Sequence, residues 1–583
     1  MWSSTLAARP PDPAPMAAAP RLGEEAPVSY TPENPLIVQS DLSVLLEVLS
    51  PRAEAARDAL LPFAELVKSP DYVHTWRITP LSLWNAAAAG HGPDEVIDAL
   101  RAYAKYPVPD HVAAVVRDKM ARYGRLRLVR DGDQLALEAD DPLDLDEVRS
   151  LGPARDLFQE GSDRRHLRVH ARRRGELKQV LVTLGFPVQD LAGYDDGDAL
   201  TMRLRPTLPD GQPWSMREYQ VAAIDAFHGG PSAGCGVIVL PCGAGKTLVG
   251  VGAMVRLGMR TLILCTGHTA LRQWRREILE RTTLTPEQVG EYSADVKQIA
   301  AVTLTTYQML AWRKDKLSAP AHYDLFVQAN WGLVIYDEVH LLPAPIFRET
   351  ANLQARRRLG LTATLVREDG AEGDVFALIG PKRYDLPWKT LEHQGWIASA
   401  RCVEVRVPLS DTDRVRYIAA PARSRFKIAS TNPRKGPVLE TLLERHKDQP
   451  TLVLGTDLAQ LHWLARRLGI PIITGESSSA ERDVAFDRFR RGEDRVLALS
   501  KVGNFAIDLP EASVAIQVSG SFGSRQEEAQ RLGRILRPKA TNQAVFYTLV
   551  SADTDEQLYA ERRQLFLTEQ GYPYRIEVID QGS

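Results

Sequence analysis

Residues 240–247 read Leu-Pro-Cys-Gly-Ala-Gly-Lys-Thr. Glycines in such a loop let backbone N–H groups curl round a phosphate, and a helix beginning just after them adds a favourable dipole. Gly243 and Gly245 form the loop, Lys246 brings positive charge to the outer phosphates, and Thr247 offers a hydroxyl to magnesium. The first glycine of the usual eight-residue pattern is Leu240 here. The bare pattern is therefore imperfect, and a chance glycine turn is the competing reading. An apolar run before the loop and helical periodicity after it favour the phosphate site. Residues 334–340 read Val-Ile-Tyr-Asp-Glu-Val-His. An apolar strand ending in two acids places Asp337 to hold magnesium and Glu338 to polarise the attacking water. His340 either couples this site to a strand-binding site or is an ordinary hydrogen-bonded loop histidine.

Two further groups complete the constellation. Leu361-Thr362-Ala363-Thr364 puts small hydroxyl residues at a strand tip, where Thr362 and Thr364 suit polar contacts between the acids and a second domain. Residues 530–537 read Gln-Arg-Leu-Gly-Arg-Ile-Leu-Arg. Arg534 and Arg537 lie three apart, on one helix face. From there they can stabilise charge on a transferring phosphate across a cleft, with Gln530 in the same motif. The alternative is a basic helix paired with Glu527 and Glu528.

These residues need parallel sheets to hold them. From about Thr207, short apolar strands alternate with helices: 236–240, 261–265, 301–305 and 332–336, then 451–454, 470–474, 495–499, 513–518 and 544–549. Continuous apolar strands between helices indicate sheets covered on both faces. Two in series predict two α/β domains, 207–390 and 434–560, with a linker carrying an insertion at 391–433 and an extension at 561–583. Upstream, 34–140 reads as mainly helical. Ser50-Pro51 and Thr79-Pro80 mark helix starts, and a hairpin turns at Asp131-Gly132. Helices followed by a hairpin suggest a winged-helix-like domain. A small α/β unit follows at 141–206, with Arg164, Arg165, Arg168, Arg172, Arg173 and Arg174. These make either a solvated face or a phosphate-contacting patch. Residues 1–33, rich in Ala and Pro, read as a disordered tail without a secretion-signal layout.

Composition narrows the function classes. The chain has 583 residues, 72 basic and 74 acidic, with a net charge of −2. A protein that coats DNA is usually strongly basic, so this balance disfavours a coating protein and leaves a motor with a locally basic groove. No run of about 18 apolar residues predicts a membrane span. The four cysteines show no paired spacing, which fits a reducing cytoplasm and no zinc site.

The motifs together resemble a superfamily 2 helicase, and specifically the XPB family of DNA repair helicases in its bacterial form. The resemblance is carried by residues 240–247, 337–340, 361–369, 500–504, 508–512, 523–537 and 569–572, and in front by 35–41 and 79–84. It implies two tandem RecA-like motor domains, ATP and magnesium as cofactors, and 3′–5′ movement on DNA. It places Arg217 and Gln220 where the family recognises adenine. Arg367, Glu368 and Asp369 fall on a charged loop linked to strand separation. Trp274, Thr306 and Tyr307 fall on strand-contacting motifs, although Trp274 is equally a core residue of its helix. Residues 141–206 become a damage-recognition-like domain, and the basic stretch near 410–430, with Arg423, Arg425 and Lys427, a thumb-like insertion. The expected partner is DNA at a single-strand/duplex junction, with a nuclease as a further partner and the chain a monomer. The competing functions are a double-strand translocase, an ATP-gated scaffold that recruits a nuclease or polymerase, and an RNA helicase.

Overall fold

The computed structural model describes residues 30–68, 70, 72–132, 134–159, 165–170, 173–192, 196–229, 233–312, 322, 326, 329–341, 353, 355–363, 375, 378–500, 512–520, 543–569 and 572–578. Four sheets organise them.

The first sheet has the order β1-β2-β4-β3, from β1 (Leu36–Val38), β2 (Ser43–Glu47), β3 (Glu65–Lys68) and β4 (Val73–Arg77). It packs with helices Ala53–Leu60, Pro80–Ala88, Pro93–Tyr103 and Asp110–Met120. Thr79 caps the second of these as its spacing predicts. Its hydroxyl accepts from the Ser82 amide, the Ser82 hydroxyl receives the Thr79 amide, and Pro80 occupies the first turn. The mainly helical reading of 34–140 missed this sheet. Its strands are short and their period-2 pattern is broken by polar residues, so the helices dominate the sequence signal.

The hairpin sits where the turn residues put it. β5 (Leu126–Asp131) and β6 (Gln134–Ala139) pair with Asp131 opposite Gln134, and Gly132 has φ +61°. It is not a wing of the helical unit. β6 pairs with β7 (His166–Val169) and β5 with β8 (Val188–Asp190), so the hairpin is the centre of a second sheet, β7-β6-β5-β8. The described arginines of the basic cluster are partly committed within this unit. Arg174 is buried and donates to Asp190 at 2.8 Å, Arg173 to Glu176 at 3.0 Å, and Arg168 to Asp131 at 2.9 Å. Arg164 and Arg172 lie outside the described residues.

Two seven-stranded sheets follow, every pairing in them parallel. The first has the order β11-β12-β10-β13-β14-β9-β15, from β9 (Cys235–Val239), β10 (Thr261–Cys265), β11 (Val289–Tyr292), β12 (Val302–Thr306), β13 (Leu333–Asp337), β14 (Arg357–Thr362) and β15 (Lys382–Asp385). The second is β18-β19-β17-β20-β21-β16-β22, from β16 (Ser399–Val407), β17 (Thr451–Leu454), β18 (Ile472–Ile473), β19 (Val496–Leu499), β20 (Val514–Gln517), β21 (Gln543–Ser551) and β22 (Tyr574–Val578). Leu262, Ile263, Val334 and Ile335 are wholly buried, as all-apolar central strands require. Part of the stretch read as linker is β16, which pairs along its whole length with β21. The stretch expected to be a thumb-like insertion forms a pair of helices, Asp411–Ala419 and Ala422–Ser430. The stretch read as an extension supplies the edge strand β22. Among the described residues, no helix is long and apolar enough to cross a membrane.

Candidate functional site

β9 runs into the 240–245 loop and then into the helix Lys246–Leu257. Gly243 and Gly245 have φ of +83° and +78°, a region in which only glycine is free of strain. A Cβ at Gly245 would lie 2.6 Å from the Gln220 amide nitrogen, so glycine is required there on contact grounds too. Lys246 is the first residue of the helix and Thr247 the second, as the motif predicts.

The loop is braced from one side by the segment around Arg217. The Tyr219 hydroxyl donates to the Ala244 carbonyl at 2.8 Å, and the Gln220 amide donates to the same carbonyl at 3.0 Å. The Arg217 amide donates to the Gln220 side-chain oxygen at 3.0 Å, and the Arg217 guanidinium donates to the Tyr219 hydroxyl at 3.0 Å. Gln220 is 2% exposed, so its amide serves the loop rather than an open face. Arg217 stacks over the ring of Trp396, 4.6 Å from its centroid. Tyr219 lies between Arg217 and Gln220 without a role of its own in the motif, and Trp396 lies in no motif, so the sequence did not single out either one.

Across the loop, β13 delivers the two acids. Asp337 ends the strand, and Glu338 turns the chain with φ +50°, a left-handed conformation that costs about 1–3 kcal/mol in a non-glycine residue and marks functional turns. Lys246 Nζ lies 3.4 Å from a Glu338 carboxylate oxygen. Burial alone would lower the Lys246 pKa, but Glu338, then Cys242 and Asp337, outweigh it and hold the ammonium above its ordinary range. Asp337 is pushed up to about 6, first by burial and then by the charge of Glu338, with the Trp274 hydrogen bond and Lys246 opposing. Oxygen donors and unrelieved negative charge are what a hard divalent cation satisfies, so Thr247 and Asp337 fit magnesium by donor type. His340 is buried. Its Nδ1 hydrogen-bonds the Thr362 hydroxyl at 2.6 Å and lies 3.5 Å from Glu338. The Thr362 carbonyl in turn accepts the Leu240 amide at 3.0 Å. His340 thus joins the tip of β14 to the acid on β13.

Two residues expected at a strand-binding surface face the other way. Trp274, on the helix His268–Arg281, is 1% exposed and donates from its indole to Asp337 Oδ2 at 2.9 Å. A Cβ at Gly250 would lie 2.4 Å from its ring, so it fills a tight slot, in line with its reading as a core residue of its helix. Tyr307 is 4% exposed and donates to the Asp337 carbonyl at 2.8 Å. Thr306 is buried too. Its hydroxyl accepts the Met309 amide at the start of the helix Tyr307–Ala311. The structure therefore assigns all three to the frame of the acidic turn. Thr364, Arg367, Glu368 and Asp369, and Gln530, Arg534 and Arg537 of the second sheet's motif, lie outside the described residues.

Comparison with known proteins separates this arrangement from other phosphate sites. The model "ERCC3/RAD25/XPB C-terminal helicase" matches residues 391–582, "Type III restriction enzyme, res subunit" matches 214–367, and "Helicase conserved C-terminal domain" matches 36–159. The Kineococcus radiotolerans protein named DNA 3′-5′ helicase XPB is 55% identical over 550 residues, 94% of this chain and 97% of that one. The chain belongs to the XPB family of DNA helicases. The Mycobacterium tuberculosis XPB protein is 53% identical over 94% of this chain and 98% of its own. The likeness reaches Saccharomyces cerevisiae, whose general transcription and DNA repair factor IIH helicase/translocase subunit XPB/SSL2 is 32% identical over 93% of this chain and 71% of its own. XPB membership accounts for the two parallel-sheet lobes.

Proposed function

We propose that this chain is an ATP-dependent 3′–5′ DNA helicase of DNA repair. The observation that carries the reading is the Lys246–Glu338 pair at 3.4 Å beside Asp337, within a chain 55% identical to a named 3′–5′ helicase. In this arrangement Lys246 neutralises the very carboxylate that hydrolysis needs. Entry of the outer phosphates draws Lys246 away and leaves Glu338 to accept the proton of the attacking water. Magnesium, held by Thr247 and Asp337, would neutralise charge between the phosphates. Arg217, already held against Trp396 and Tyr219, faces the adenine, while Gln220 holds the loop. Gln530, Arg534 and Arg537 complete the site from the second lobe, which makes hydrolysis depend on closure. His340, bridging Glu338 and Thr362, passes that closure to the strand tips.

The test measures ATPase and strand displacement together, on duplexes with a 3′ or a 5′ tail. DNA stimulates the ATPase of the native chain and displacement requires the 3′ tail. Lys246→Ala and Glu338→Gln abolish both, the latter while retaining nucleotide. Displacement from the 5′ tail alone, or an ATPase that answers RNA and ignores DNA, overturns the reading.

A further inference from the structure

An aromatic cluster on the first motor lobe is left without a role by the nucleotide site. Trp312 follows the helix Tyr307–Ala311 and is 50% exposed. One face of its indole is stacked on His322, ring centroids 5.5 Å apart and planes at 28°. His322 in turn hydrogen-bonds the Tyr292 hydroxyl at 3.0 Å and meets the Tyr292 ring edge-on. Lys297 stands 4.6 Å over that same ring and also reaches the Met309 sulfur. Burial, then Lys297, lowers the His322 pKa, so at neutral pH the imidazole is an uncharged backing for the indole. The indole is thus fixed on one side by His322 while half of its surface is open to solvent, and an aromatic ring so held is a ready stacking partner.

Its place in the fold says what covers it. Tyr292 is the last residue of β11, Thr306 of β12 and Asp337 of β13, so the cluster lies at the carboxyl ends of the strands. That edge is where ligands of open α/β sheets bind. Tyr307, which opens the short helix leading to Trp312, donates to the Asp337 carbonyl, so the open indole is one short helix from the hydrolytic turn. An aromatic face beside a lysine is the pairing that holds single strands without reading sequence, the ring taking a base and the ammonium a phosphate.

We propose that Trp312, backed by His322 and flanked by Lys297, is a stacking site for one base of the single strand on which the motor moves. The assignment rests on the DNA reading above. Trp274 and Tyr307, expected at strand contacts, are buried against Asp337, whereas Trp312 is half exposed.

The test uses the full-length chain and two labelled oligothymidine strands, one intact and one carrying abasic sites. Binding is read by fluorescence anisotropy and folding by thermal unfolding. The native chain binds the intact strand more tightly than the abasic one. Trp312→Ala weakens binding of the intact strand about five- to a hundredfold, the range expected for loss of one base–aromatic stack. It also erases the difference between the two strands, and Trp312→Phe restores most of both. An affinity and an abasic penalty unchanged in Trp312→Ala overturn the proposal. So does a lowered unfolding temperature with the abasic penalty intact, which would make Trp312 a packing residue. If the native chain binds neither strand and its ATPase ignores DNA, the DNA reading itself fails, before Trp312 is put to the question.

Discussion

Replacing Trp274 with Phe removes the indole N–H donor from the acidic turn, together with part of a buried ring. The indole N–H donates to Asp337 Oδ2 at 2.9 Å in a site where Trp274 is 1% exposed. Phenylalanine keeps an aromatic ring in the slot, falls short of the indole edge that faces Gly250, and cannot donate. Asp337 already sits at about 6, raised by burial and by Glu338, and the Trp274 bond is one of the effects that stop it rising further. A hydrogen bond to a charged group contributes about 1.5–3 kcal/mol. At about 1.4 kcal/mol per pH unit, its loss moves the carboxyl up by roughly one to two units. At pH 7 the native carboxyl is then mostly ionised and the variant's is half protonated or more. The assay is kcat/KM for ATP hydrolysis across about pH 5.5–9, which reports the free enzyme. Activity needs the carboxylate and falls as pH drops through its pKa, so the acid limb of Trp274→Phe shifts to higher pH by about one unit or more. Raising magnesium pulls the limb back, because the ion competes with the proton for one carboxylate. A limb that superimposes on the native one, with only a lower plateau, refutes the argument and leaves Trp274 as packing.

Two further predictions concern stability. Lys435 and Glu556 form an ion pair at 2.9 Å in the second lobe, exposed 0% and 1%, with Lys435 also donating to the Val518 carbonyl and Glu556 accepting the Ser551 amide. Lys435→Met strands a buried carboxylate and lowers stability by about 3–5 kcal/mol, and adding Glu556→Leu recovers part of it. A urea-unfolding cycle in which the two substitutions simply add would show that the pair is not coupled. His74, on β4, is 7% exposed and held at about 4, chiefly by burial and then by Arg57, against the opposing Asp385 on β15. Its folded pKa lies below the ordinary 6.5, so the unfolded chain binds the proton more readily in between. Its contribution is complete above about pH 6.5 and is lost on acidification towards pH 4, a change of about 3 kcal/mol. Unfolding temperature followed against pH gives a slope in that window, and His74→Leu flattens it. An unchanged slope places the titration elsewhere.

What could be read from the residues depended on how local the signal was. The phosphate loop and the acidic turn are contiguous strings whose chemistry follows from residue order, and the structure sets Lys246 and Glu338 against each other. The central strands were legible because their runs are almost continuously apolar. The strands that escaped notice are short, sit at edges, or, like β16, fall where the sequence reads as a linker. β22 has mostly part-exposed or exposed side chains, and β16 begins inside what reads as a linker, its pairing with β21 joining residues far apart in sequence. Periodicity cannot report such pairing. The same limit explains Trp274 and Tyr307. Their motif position is visible in the sequence, but the direction each side chain takes is set by contacts with Gly250 and Asp337, which only the fold creates.

That inward direction changes how the motor's parts can speak to each other. Trp274 holds the Asp337 carboxylate and Tyr307 its carbonyl, so the helix 268–281 and the helix 307–311 both end on one acid. Two residues before Trp274, Arg272 reaches out to Asp483 on the helix Ser479–Arg490 of the second lobe, at 3.0 Å. Both partners of that bridge are more than half exposed, so it contributes at most about 1 kcal/mol. A buried bridge there would lock the lobes together, whereas an exposed one breaks and re-forms at little cost as they part and close. The indole bond behind it is buried and charge-assisted, and it does not yield so easily. A displacement of the 268–281 helix by the second lobe is therefore absorbed at the surface pair or carried to the Asp337 carboxylate. If Trp312 takes a base, a pull on the strand arrives at the same residue through the shorter helix and Tyr307. One residue, Asp337, then registers lobe closure at its carboxylate and strand position at its carbonyl, which is what a motor needs if hydrolysis is to wait for both.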